Sequence, residues 1–164
     1  MGSHSATIAW QDDGSFPTGR YSRAHEMRFD GGAVVRGSSS PHVVPLPFSD
    51  PAGVDPEEAL IASASACHML WFLNLAQEAG LHVTSYLDGA EGVMERVERG
   101  KHAITRIVLR PRIAFSGREP DPEELSALHH EAHERCFIAN SLKSEIVVEA
   151  AAQAPAQAEL MPGE

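Results

Sequence analysis

Asp55-Pro56-Glu57-Glu58-Ala59-Leu60-Ile61-Ala62-Ser63-Ala64-Ser65-Ala66-Cys67-His68-Met69-Leu70-Trp71-Phe72-Leu73 opens as a helix start and continues as a helix too apolar to lie on a surface. Asp55 can cap, Pro56 suits the first helical position where a missing N–H costs nothing, and Glu58 completes a capping box. Both glutamates also favour the positive helix end. The helix is expected to run to about Ala79 and stop at Gly80. Alanine and serine crowd its middle, and Met69 to Leu73 is apolar nearly all round, which implies burial on more than one side. This is the central helix of the fold.

Strands precede it. Ala6 to Trp10 is short and β-prone, Tyr21 to Phe29 alternates, and Asp30-Gly31-Gly32 is hairpin chemistry leading into Ala33-Val34-Val35. Residues 37–54 are rich in serine, proline and glycine and read as a long extended loop, a kind of segment that often lines a site. After the helix, Leu81 to Val97 reads as one strand kinked at Gly89 or Gly92, and Glu98-Arg99-Gly100-Lys101 as a hairpin turn. Thr105, Ile107, Leu109, Ile113 and Phe115 then share one face of a strand whose other face carries Arg106, Arg110 and Arg112. Asp121-Pro122-Glu123-Glu124 repeats the helix-start signal for a second helix bearing His129, His130, His133 and Cys136. Ser144 to Glu149 is a last strand. Strands in runs, in the order β-β-β-α-β-β-α-β, predict an α+β fold with antiparallel sheets around the long helix. Residues 1–149 are read as one domain, and residues 150–164, poor in large apolar groups, as a disordered tail. Met1 to His4 carries no weight in this reading.

The chain has 164 residues with 13 Lys+Arg against 23 Asp+Glu, a net charge of -10. Such a balance argues against nucleic acid or an anionic membrane as partner, since phosphate binding needs a concentrated basic face. No segment reads as the roughly 20 apolar residues of a membrane helix, and the N-terminus lacks a signal-peptide layout, so a cytoplasmic protein is expected. Thiols there are kept reduced, and a Cys67–Cys136 disulfide would be transient and catalytic rather than a structural staple.

Cys67 and Cys136 are the only cysteines and lie 69 positions apart (136 − 67). That separation excludes a local Cys-x-x-Cys motif and leaves two unrelated core thiols or a pair brought together by folding. Cys67 sits beyond the first helical turn, out of useful reach of the helix dipole, so a cation would have to stabilise its thiolate. Arg20, Arg23 and His25 are the candidates; arginine suits best because it stays charged and can hold thiolate and carboxylate together. Glu57 is a candidate carboxylate, but ten helical residues place it about 15 Å from Cys67 along the axis. His129, His133 and Cys136, with Cys67 or His68, offer a zinc alternative of poor spacing, and ordinary histidines on a helix face are the default.

Taken together, the helix from Asp55 to Cys67, the strand ribbon after it, Cys136-Phe137-Ile138-Ala139-Asn140-Ser141, and the strand Lys143 to Val148 resemble the OsmC/Ohr family. The resemblance covers about residues 6 to 149. It implies an OsmC-like fold, an intertwined homodimer with sites at the subunit interface, and a thiol-dependent peroxidase acting on organic hydroperoxides. Cys67 would be the peroxidatic thiol and Cys136 the resolving one. The family's arginine would be Arg23, or Arg20, and its glutamate Glu57. A sulfenic acid on Cys67 would condense with Cys136, and an external dithiol of lipoyl type would reset the pair without any cofactor or metal. Leu70, Trp71, Phe72, Phe48 and Met69 would line an apolar pocket. The family commonly has proline where this chain has Phe137, and a non-catalytic small-ligand-binding or stress-response protein with structural cysteines is the alternative.

Overall fold

The computed structural model describes residues 2–149. The expected tail, residues 150–164, lies outside the described residues. The described residues divide into two compact units, with the boundary between Leu60 and Ile61.

Within the first unit, β1 (Ala6–Ala9), β2 (His25–Phe29) and β3 (Val34–Gly37) form an antiparallel sheet in that order. The β2–β3 hairpin closes on Gly32, whose φ of 88° only glycine adopts freely. Between β1 and β2 the chain winds through a 3-10 turn that brings the rings of Trp10, Phe16 and Tyr21 together, with centroids 4.8 to 5.7 Å apart. Regular β2 begins at His25, later than the predicted Tyr21, because residues 21–24 hold side-chain and loop contacts rather than a ladder. Gly37 makes room for the His25 ring: a Cβ there would lie 2.4 Å from His25 Nε2, so the ring would have to move. The loop beyond is pinned where Ser38 Oγ accepts from the Asp50 N–H at 2.9 Å and where Val54 N–H donates to Arg36 C=O at 2.9 Å.

Helix α1 (Pro56–Glu78) starts as predicted: Glu58 N–H donates to Asp55 Oδ1 at 2.7 Å while Asp55 N–H donates to Glu58 Oε2 at 3.0 Å. Its end is marked by Gly80 at φ 74°. The buried residues Ala64, His68, Phe72 and Ala76 recur every fourth position and form one stripe. By length and composition α1 could cross a membrane, with a mean hydropathy of 1.5, which corrects the expectation that no segment is apolar enough. Its buried stripe instead meets sheet and helix partners in the second unit.

That unit contains β4 (His82–Asp88), β5 (Glu91–Glu98), β6 (Lys101–Leu109), β7 (Pro111–Ser116), α2 (Pro122–Arg135) and β8 (Glu145–Val148). β4 pairs with β7, and β5, β6 and β8 form a second sheet with β6 central. Two predicted single strands are therefore each two. Leu81 to Val97 breaks between Asp88 and Glu91, and Thr105 to Phe115 breaks at Arg110. The physical cause is shared. Pro111 has no N–H for a ladder, and the Arg110 N–H donates to the Asp88 carboxylate at 2.6 Å, so both chains change sheets at the same corner. Between the strands named here every pairing is antiparallel except β6 with β8, which is parallel in the register Arg106↔Glu145 to Leu109↔Val148.

One core cluster gathers Phe72, Leu75, Ala76, Leu81, Ile113 and Ala132 between α1, the β4–β7 sheet and α2. A second gathers Ala64, Ile107 and Leu109 under the other sheet. Phe72, fully buried, contributes about 2–3 kcal/mol by transfer from water. The two clusters fix the opposite ends of this part of α1, and Cys67 lies between them in sequence.

Candidate active site

Cys67 sits one residue before His68 on α1 and is half-buried. Cys136 caps the C-terminus of α2, its N–H donating to His133 C=O at 3.1 Å, and is 1% exposed. Both are free thiols. Folding brings them together: burial first, and the neighbouring Cys67 thiol second, push the Cys136 thiol up to about 11. The Ala139 N–H, 3.4 Å from Cys136 Sγ, opposes that rise without cancelling it. A thiol raised this far keeps its proton at neutral pH.

Beside the thiols, helices α1 and α2 make a second contact through two imidazoles. His68 Nε2 and His129 Nδ1 are 3.1 Å apart, the rings are stacked within 8° of parallel, and both residues are buried. Phe72 stacks on the far face of His129 at 4.5 Å. Burial lowers both histidines to about 4; His133 adds to the effect on His68, and Asp88 opposes it. Above neutral pH they are an uncharged pair.

Asp88 ties the surrounding elements. Besides the Arg110 N–H it accepts from Ser65 Oγ at 2.5 Å, so the turn of α1 just before Cys67 is bonded to the end of β4. Trp71, one turn after Cys67, meets Phe137 edge-on at 5.7 Å and lies under the Arg135 guanidinium at 5.7 Å. Phe137 is 69% exposed and Leu70 63%, whereas Phe72 is core and does not line a pocket as expected. Met69 is half-buried on α1, and Phe48 belongs to the first unit.

The remaining sequence candidates also lie in the first unit. Arg23 places its guanidinium over the Tyr21 ring at 3.7 Å and bonds the Tyr21 carbonyl, while its N–H donates to Phe48 C=O at 2.9 Å. Arg20 lies over Phe48 at 5.7 Å. His25 Nδ1 contacts Arg23 C=O at 2.9 Å. Glu57 is in the first turn of α1 and half-buried. Among the described residues no group of three or more His, Cys, Asp or Glu side chains is placed to hold a metal ion; of the histidines weighed for zinc, His68 and His129 contact each other. Sequence reasoning missed Asp88 altogether, whose only signal was a carboxylate ahead of a glycine, and it saw His68 and His129 without seeing that they pair.

The sequence matches the family described as OsmC-like protein over residues 49–151, and the chain belongs to that family. It is 29% identical over 102 residues to the peroxiredoxin OsmC of Escherichia coli K12, spanning 62% of this chain and 69% of that protein. An OsmC-like protein of unknown function from Vibrio cholerae is 47% identical, with a TM-score of 0.89 over 92% of this chain and 100% of that one. An organic hydroperoxide resistance protein from Elizabethkingia anophelis shares the fold at 18% identity and a TM-score of 0.67, over 92% of this chain and 94% of that one. The fold is thus OsmC-like: α+β, with mainly antiparallel sheets and a central helix.

Proposed function

We propose that this protein is a cysteine-based peroxidase that reduces organic hydroperoxides to alcohols, working as a cytoplasmic homodimer. The observation that carries the reading is the nearness of two thiols 69 positions apart, close enough for one to raise the other. The naming of relatives as peroxiredoxin OsmC and organic hydroperoxide resistance protein supports it. The Cys67 thiolate attacks the terminal peroxide oxygen; the O–O bond breaks, the alkoxide takes a proton to leave as alcohol, and Cys67 becomes a sulfenic acid. The Cys136 sulfur then attacks Cys67, the S–O bond breaks, water leaves with the Cys136 proton, and a disulfide results. Two electrons from an external dithiol of lipoyl type restore both thiols.

In this scheme Arg23, or Arg20, together with Glu57, comes from the second subunit and stabilises the attacking thiolate. Exposed Ile8, Leu70 and Phe137, at 61 to 69% of their free surface, support a partner copy. Turnover of cumene hydroperoxide with dihydrolipoamide tests the reading. The wild type turns over repeatedly; Cys67→Ser loses all activity; Cys136→Ser completes one oxidation and accumulates a sulfenic acid that dimedone traps. Multiple turnover by Cys67→Ser, or none by the wild type, overturns it.

A further inference from the structure

The scheme above assigns no part to the buried imidazoles, yet they join the same two helices that carry the thiols. His68 follows Cys67 directly on α1. On α2, His129 precedes Cys136 by seven residues, two helical turns, so both point from one face. The thiol contact and the imidazole contact therefore clamp the C-terminal half of α2 onto one place on α1. We propose that the His68–His129 pair is a positioning device for the resolving thiol: it holds α2 so that the Cys136 sulfur meets Cys67, and it loosens when acid reaches it.

The geometry explains both halves. With one ring N–H donating to the other ring's lone pair at 3.1 Å, and Phe72 backing His129, two helices are registered by a directional bond rather than by apolar contact alone. The outer nitrogens, His68 Nδ1 and His129 Nε2, are buried and have no hydrogen-bond partner among the described residues, as is His133 Nδ1. A first added proton puts a charge at one of those bare positions; a second sets N–H against N–H and breaks the bond. The groups able to offset such charge are few. His133 on α2 repels it, Asp88 on β4 attracts it but already accepts from Ser65 and Arg110, and Tyr86 on β4 carries a buried, unpartnered hydroxyl. The lowered basicity of both rings accords with this environment.

The test reads closure of the thiol pair without peroxide. Ellman's reagent, an aromatic disulfide, reacts with Cys67 to release one coloured thiolate; attack by Cys136 on the mixed disulfide forms the Cys67–Cys136 bond and releases a second, its proton going to buffer. Cys136→Ser, which gives the first release alone, identifies the order. His129→Leu, with no ring nitrogen, is expected to slow the second release about tenfold relative to the first. His129→Asn, whose amide can stand in for Nδ1, is expected to restore it, as is His68→Gln for Nε2. In the wild type the ratio of second to first release falls between pH 7 and pH 4 more steeply than in the His68→Gln/His129→Asn double variant, in which neither position can titrate. Equal slowing of both releases in His129→Leu, failure of the amide variants to rescue, or parallel pH profiles would overturn the proposal; circular dichroism confirms that each variant is folded. Because the probe is not a peroxide, loss of hydroperoxide turnover with normal closure sinks the peroxidase reading and leaves this one standing.

Discussion

Acidification from pH 7 to pH 4 should weaken this fold through His68 and His129, beyond what its carboxylates contribute. Each imidazole is lowered to about 4 when folded, against 6.5 in the unfolded chain. The folded value is the lower one, so the unfolded chain binds protons first as pH falls. Stability is complete above about pH 6.5 and is lost progressively down to about pH 4. One histidine then costs about 3 kcal/mol, and both together twice that at most, a ceiling because the two protons repel. At about pH 5.5 the loss is already about 1.4 kcal/mol for one histidine. Urea unfolding of the wild type and of the His68→Gln/His129→Asn double variant, followed by circular dichroism across this range, isolates the effect, since ordinary carboxylates titrate in both. The wild-type midpoint should fall toward the acid end by about 1 M or more relative to the variant. A constant difference at all pH values would refute the assignment of buried neutral imidazoles.

Three further outcomes are expected. Asp88→Asn should cost about 1–3 kcal/mol, because an amide cannot accept from both Ser65 and the Arg110 N–H; an unchanged melting temperature would show that the corner holds without it. Phe72→Ala should cost about 3–5 kcal/mol, read by thermal unfolding; a loss under about 1 kcal/mol would contradict its place in the core. Iodoacetamide at neutral pH should alkylate Cys67 well before Cys136, as mapped by peptide mass spectrometry; equal labelling would contradict the raised Cys136 thiol.

Helix boundaries were legible because their signals are local. Asp55 with Glu58 and Asp121 with Glu124 each make the cap bonds that their spacing announces, and Gly80 takes the left-handed turn expected of it. The Glu98–Lys101 hairpin and the strand near Ile146 were equally local. The two strand breaks were not. Ile107, Leu109, Ile113 and Phe115 keep one parity across Arg110, so alternation alone cannot reveal that the chain leaves one sheet for another. Pro111 and the bond from Arg110 to Asp88, 22 residues away, together mark the change. Parallel pairing of β8 with β6 is likewise a property of the fold between them. At the site, residue chemistry singled out Cys67, Cys136 and the histidines, but which of them meet depends on how α2 crosses α1. Phe72 shows the limit of composition: an aromatic beside a cysteine reads as pocket lining until its stacking on His129 and contact with Tyr86 place it in the core.

The meeting of Cys67 and Cys136 has a thermodynamic side besides its chemistry. A bond between sulfurs 69 positions apart would tie off a long stretch of chain, removing about 4 kcal/mol of disorder from the denatured ensemble. The oxidised molecule would therefore melt at a higher temperature than the reduced one. Every round of reduction by a dithiol would return the chain to its softer form, so the cell's redox poise would also set how long this protein survives heat and proteases.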